Sequence, residues 1–174
     1  MQGLVHLYCG NGKGKTTAAA GLALRAVGAG MRVVFVQFLK GSETGEIEVL
    51  KKLDNVTVIR NYKDLGFVSN MTPEEVEEVR KMHNKSIDEA TEIVSAGKCD
   101  MLVLDEVCAA YNLDVLDKEK IKKLIEGRPD NMELVFTGRA PDKIFMDSAD
   151  YITEMKQVRH PFEKNIKARK GIEY

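Results

Sequence analysis

"CGNGKGKTT", Cys9 to Thr17, joins an apolar run to an alanine-rich stretch, and the reading of that junction decides the fold. Its tail, Gly12-Lys13-Gly14-Lys15-Thr16, follows "LVHLYC" (4–9), which reads as a strand. It opens a helix expected from Thr16 to Ala29, closing on Gly28 and Gly30. Glycines let a backbone turn with its N–H groups inward, and the helix that follows adds its positive end, so oxyanions are bound without reliance on net charge. Strand, glycines, lysine, threonine and helix together specify a phosphate-binding loop. The candidate nucleotide-binding residues are Gly10, Asn11, Gly12, Lys13, Gly14, Lys15, Thr16 and Thr17. Lys15 is placed to reach a phosphate oxygen, and the Thr16 hydroxyl to bind Mg²⁺. Counting back from Lys15, the first glycine position of G-x-x-x-x-G-K-[ST] holds Cys9, with Gly10 one residue too close. The loop is one residue shorter than the common form.

Outward from the loop, apolar runs alternate with helix-period stretches. Strands are expected at 4–9, 32–38, 56–60, 101–107, 133–138 and 151–155. Most are continuously apolar and not alternating, as in strands covered on both faces. Thr72-Pro73-Glu74-Glu75 offers an N-cap, a first-turn proline and a capping box, and Val76, Val79, Ile87, Ala90 and Val94 then recur at helical spacing. Further helices are expected over about 117–126 and near Pro141. With no linker or repeat, the pattern predicts one α/β domain over 1–174, a P-loop NTPase (RecA-like) three-layer sandwich with a mainly parallel sheet.

The chain of 174 residues carries 26 basic and 27 acidic side chains, for a net charge of −1. That balance offers no field to attract nucleic acid or an anionic membrane. Cys9, Cys99 and Cys108 form no C-x-x-C pair, and no apolar stretch reaches 18 residues. A soluble cytoplasmic protein is expected.

"MLVLDEV" (101–107) places Asp105 and Glu106 at a strand end, where an NTPase of this kind sets carboxylates on its metal. His6, His83 and His160 lack metal-ligand spacing and read as buried or surface histidines. A phosphate loop alone leaves the reaction open. An ATPase, a small-molecule kinase, or a module that binds its ligands without turnover stays compatible with these residues.

"GNGKGKTTAAAGLALRAVGAG", "VVFVQFLKG", "LVLDEV", "TGR" and the closing "ADYITEMKQVRHPFEKNIKARKGIEY" together resemble the ATP:corrinoid adenosyltransferases of the P-loop type, over nearly the whole chain. The resemblance implies transfer of the 5′-deoxyadenosyl group of ATP to the Co(I) of a corrinoid, with release of triphosphate. It implies ATP, Mg²⁺ and a reduced corrinoid in the site, a reductase for Co(II), and a homodimer. It places Arg25, Glu106 and Arg139 around nucleotide and metal. It also assigns Phe67, in Gly66-Phe67-Val68-Ser69, the removal of cobalt's lower axial ligand. Ser69 stands where tryptophan is common, and the chain has no tryptophan, so one aromatic remains for that task. The alternative for Phe67 is a loop residue folded onto the core. Many family members carry an extension before the first strand, which this sequence enters at residue 4. The lysines from 164 to 170 read as a solvated segment able to neutralise corrinoid or phosphate groups.

Overall fold

The computed structural model describes residues 2–42, 44–60 and 66–173. Its six strands are β1 (Val5–Cys9), β2 (Val33–Gln37), β3 (Val56–Arg60), β4 (Met101–Asp105), β5 (Glu133–Thr137) and β6 (Tyr151–Glu154). They form one sheet in the order β3-β2-β4-β5-β1-β6, with every pairing parallel. The helices are α1 (Lys15–Gly28), α2 (Gly45–Leu50), α3 (Pro73–Ser95), α4 (Val107–Asn112), α5 (Lys118–Glu126) and α6 (Lys143–Ser148).

Continuous apolar runs make the central strands bury both faces, and successive residues feed opposite cores. Val33, Phe35, Met101, Val103 and Val135 pack with Ala19, Ala23 and Ala26 of α1 and Ile47 and Leu50 of α2. Val34, Val36, Leu102, Leu104, Leu134 and Phe136 pack instead with Val79, Ile87, Ala90 and Val94 of α3, Ile121 of α5 and Phe145 of α6. This is the expected three-layer sandwich. The alanines on α1 let its backbone lie close to the sheet, which fixes the height of the loop before it.

The α3 start behaves as its sequence dictates. Thr72 Oγ1 accepts from the Glu75 N–H at 3.3 Å, and the Glu75 carboxylate accepts from the Thr72 N–H at 2.8 Å.

Three expectations need correction. The strand expected to reach 107 ends at Asp105, because Glu106 takes a left-handed conformation (φ 62°) and starts α4. The helices α2 and α4 were not foreseen; at six residues each they are too short to show a period. Finally, β6 is not covered on both faces: it is an edge strand paired to β1 alone, with all four residues exposed.

The carboxyl ends of β1, β4 and β5 lie side by side. There α1 leaves β1 for one face of the sheet, while α6 returns along the other, the crevice where open α/β sheets bind ligands.

Candidate functional site

Residues Asn11–Thr17 line a cleft of about 510 Å³ at this edge, together with Lys40, Glu46, Glu106, Arg139, His160 and the returning chain at Gly171–Glu173. The volume is within the usual range for a small-molecule site. Lys13, Lys15, Lys40 and Arg139 face Glu46, Glu106 and Glu173 across it, a mixture suited to an anion accompanied by a metal.

Local chemistry explains the shape of the loop. Gly10 has φ 97° and Gly14, the N-cap of α1, has φ 119°, conformations that glycine adopts without a steric cost. Gly12 is required for space: a Cβ there would stand 2.6 Å from the Met155 carbonyl oxygen. The Gly12 N–H donates to that oxygen at 2.6 Å, and the Met155 N–H donates to the Cys9 carbonyl at 2.8 Å. Inward-facing loop N–H groups were expected to serve phosphate, but the Gly12 N–H is committed to the end of β6. The Lys15 ammonium folds into the loop and donates to the carbonyls of Gly10 (2.8 Å) and Gly12 (2.9 Å). Burial lowers its pKa, with Glu106 opposing that shift and Arg139 adding to it.

The acidic pair divides its labour. Asp105 is fully buried. Its Oδ1 accepts from Thr137 Oγ1 at 2.7 Å, and its Oδ2 from Gln37 Nε2 at 2.8 Å. Lys40 Nζ stands 3.6 Å from the same Oδ2 and donates to Thr16 Oγ1 at 3.2 Å. Glu106 follows, its N–H donating to Thr137 Oγ1 at 2.8 Å, with its side chain on the cleft. Burial pushes its carboxyl up, Asp105 pushes it further, and Lys40, Lys15 and Arg139 pull it back. These groups therefore share one electrostatic environment.

Among the described residues no three His, Cys, Asp or Glu side chains cluster as a metal cage. The donors on the cleft are the Thr16 hydroxyl and the Glu106 carboxylate, with the buried Asp105 carboxylate beneath them, hard oxygens of the kind Mg²⁺ prefers when substrate phosphates complete its shell. That a cation, the Lys40 ammonium, already bridges Thr16 and Asp105 shows that the position favours positive charge. The residues present fit Mg²⁺.

Of the residues singled out from sequence, Asn11 to Thr17, Glu106 and Arg139 line the cleft, Gly10 shapes the loop, and Asp105 lies beneath it. Arg25 does not line it: the side chain is exposed in the last turn of α1, about 15 Å of helix beyond Lys15. Phe67 does not line it either. It is 80% exposed, which rules out the core-packing alternative.

Lys40 and the C-terminal return were missed. A lysine directly after a strand at the ligand-binding edge was a usable signal for the first. The second depends on contacts across the whole chain: Glu173 meets Lys13 at 3.4 Å and Arg169 at 3.1 Å, and Arg169 hydrogen bonding holds its carboxyl down to about 2. His160 Nδ1 accepts from the Phe162 N–H at 3.1 Å and caps the 3-10 turn Pro161–Lys164. The segment from 164 to 170 is exposed, as expected.

A parallel sheet between two helical layers, with a glycine-lysine-threonine loop after β1 and carboxylates at the end of β4 two strands away, defines a P-loop nucleotide-binding protein. Residues 1–174 match the family described as ATP:corrinoid adenosyltransferase BtuR/CobO/CobP. The chain is 34% identical to the corrinoid adenosyltransferase of Sinorhizobium sp, over 99% of this chain and 81% of that one. It is also 34% identical to corrinoid adenosyltransferase CobA of Salmonella typhimurium and 32% identical to the Escherichia coli K12 enzyme, over 99% of this chain and 86% of each. The chain belongs to the ATP:corrinoid adenosyltransferase family and is an enzyme of that type. No helix among the described residues is long and apolar enough to cross a membrane.

Proposed function

We propose that this cleft binds ATP with its triphosphate along Asn11–Thr17, and that the protein transfers the 5′-deoxyadenosyl group to a corrinoid. Cobalt reduced to Co(I) supplies both electrons of the new Co–C5′ bond. The C5′–O bond breaks, and its electron pair leaves with triphosphate. The protein needs no nucleophile of its own. Its task is to orient the nucleotide and stabilise charge growing on the leaving group.

Lys15, Arg139 and Lys40 are the cations for those oxygens. Thr16 and Glu106, with Asp105 beneath, would hold Mg²⁺, which when bound neutralises part of the triphosphate charge. Phe67, apolar and exposed, is the candidate contact to the corrinoid. We take residues 1–174 as one functional unit, supplied with electrons by a separate reductase in the cytoplasm. The exposed edge strand β6, carrying Tyr151 and Ile152, supports pairing as a homodimer.

The observation that carries this reading is the meeting of Lys15, Thr16, Lys40, Glu106 and Arg139 in one cleft of a chain that matches the family throughout. The test is an anaerobic reaction of purified protein with Mg-ATP and chemically reduced cob(I)alamin, following the corrinoid spectrum and the phosphate product. Adenosylcobalamin with stoichiometric triphosphate is expected. Orthophosphate or ADP formed without corrinoid would assign the cleft to hydrolysis or phosphoryl transfer, and tight binding without product to a carrier.

A further inference from the structure

The ammonium of Lys40 occupies a position with the chemistry of a metal site. It lies 3.2 Å from the Thr16 hydroxyl and 3.6 Å from the Asp105 carboxylate. Asp105 has no exposure to water, so its charge depends on the partners it finds inside. Gln37 and Thr137 contribute neutral hydrogen bonds, and Lys40 is the cation in salt-bridge range. Glu106, the residue after Asp105, lines the same cleft as Lys40.

The backbone is built to deliver this side chain. Leu39, just before it, is left-handed (φ 58°), and its N–H donates at 3.4 Å to Nε2 of the buried His83. The other ring nitrogen of His83 is 3.0 Å from the Val115 carbonyl and donates to it, so Nε2 is left as the acceptor. A residue held in that conformation turns the chain sharply after β2 and brings Lys40 over the carboxyl edge of β4.

We propose that Lys40 is the resident cation of the metal position. It neutralises the Asp105–Glu106 pair in the nucleotide-free protein, excludes a free divalent cation, and gives up the position only to a metal arriving with ATP. Displaced, it remains on the wall of the same cleft and moves to the triphosphate, where it stabilises the leaving group. This rests on reading the cleft as an Mg-ATP site. A unit and a double positive charge a few ångströms apart repel strongly enough, even with water-like screening, to change affinity by about tenfold or more.

The test measures Mn²⁺ binding by the electron paramagnetic resonance signal of the free ion, in the presence and absence of ATP. It compares wild type with Lys40→Met, Lys40→Gln and Lys40→Arg, each checked by thermal melting. Without nucleotide, the Met and Gln variants should bind Mn²⁺ about tenfold or more tighter than wild type, while Arg should behave as wild type. Equal affinity in wild type and the neutral variants, no binding in either included, overturns the proposal. Wild type that takes up no Mn²⁺ even with ATP overturns the Mg-ATP reading as well. ATP-dependent uptake with no effect of Lys40 overturns the Lys40 assignment alone. Adenosyl transfer by wild type is scored separately, since metal affinity does not depend on which bond of ATP breaks.

Discussion

The Met155 carbonyl oxygen accepts a 2.6 Å hydrogen bond from the Gly12 N–H, tying the end of the edge strand to the middle of the phosphate loop. The two residues are far apart in sequence, and their contact decides which side chain position 12 tolerates. A Cβ on Gly12 would meet the Met155 oxygen at 2.6 Å and the Lys156 backbone at 2.9 Å, atoms that cannot rotate away. Gly12→Ala should therefore cost about 1–3 kcal/mol, the usual range for overpacking. It should also weaken ATP binding, because the loop or β6 must shift. Thermal melting and ATP titration check both. An unchanged midpoint would mean that the strand end is not held against the loop in solution.

Lys15 is tied back in the ligand-free loop, with its ammonium on the Gly10 and Gly12 carbonyls. Phosphate oxygens arriving in the cleft would compete for the same donor hydrogens. Lys15→Ala leaves the glycine turns in place, so the fold should survive while transition-state charge goes unmatched. A loss of about 10²–10³ in turnover is expected, as for one preorganised electrostatic contact. Single-turnover kinetics with pre-reduced corrinoid measures it directly, and near wild-type rates with normal ATP affinity would remove Lys15 from the reaction.

His83 makes a pH-dependent contribution to stability. Burial drives its pKa from 6.5 down to about 4, against the opposing bond to Val115. The unfolded chain binds this proton at a higher pH than the native state does. Stability from the group is thus full above 6.5 and is lost as pH falls towards 4, by about 3 kcal/mol in all. Protonation would also turn Nε2 from acceptor to donor against the Leu39 N–H and release the turn that carries Lys40. Melting curves from pH 7 to 4 should show this decline, and His83→Gln should flatten it. An equal slope in the variant would place the titration elsewhere.

What was legible in the sequence follows the range of each interaction. The phosphate loop, the α3 capping box and the buried strands are specified by neighbours within a few residues, and all appear in the structure. The end of β4 was misread because a left-handed glutamate has no sequence signature. Lys40 and Glu173 were missed because each reaches its partner only after the sheet is assembled. Gly12 illustrates a mixed case: the glycine was read correctly as part of the loop, but a backbone from the far end of the chain is what demands it.

Phe67 offers the separation of a contact role from a structural one. It is 80% exposed, while Val68 and Met71 beside it pack against the core and anchor the 3-10 turn Val68–Asn70. Phe67→Ala removes no buried contact, so stability should stay within about 0.5 kcal/mol of wild type. If the ring strips the lower axial ligand from cobalt, the orbital that receives the electron falls in energy and Co(II) becomes easier to reduce. The variant should then lose more rate in a reaction started from Co(II) with a reductant than in one supplied with Co(I). With Ser69 in place of a second aromatic, Phe67 is the one ring among residues 66–71, so the loss should be large. Equal losses in the two assays, with unchanged melting, would reduce Phe67 to a general corrinoid contact; no loss in either would leave the exposed ring without a part in the reaction.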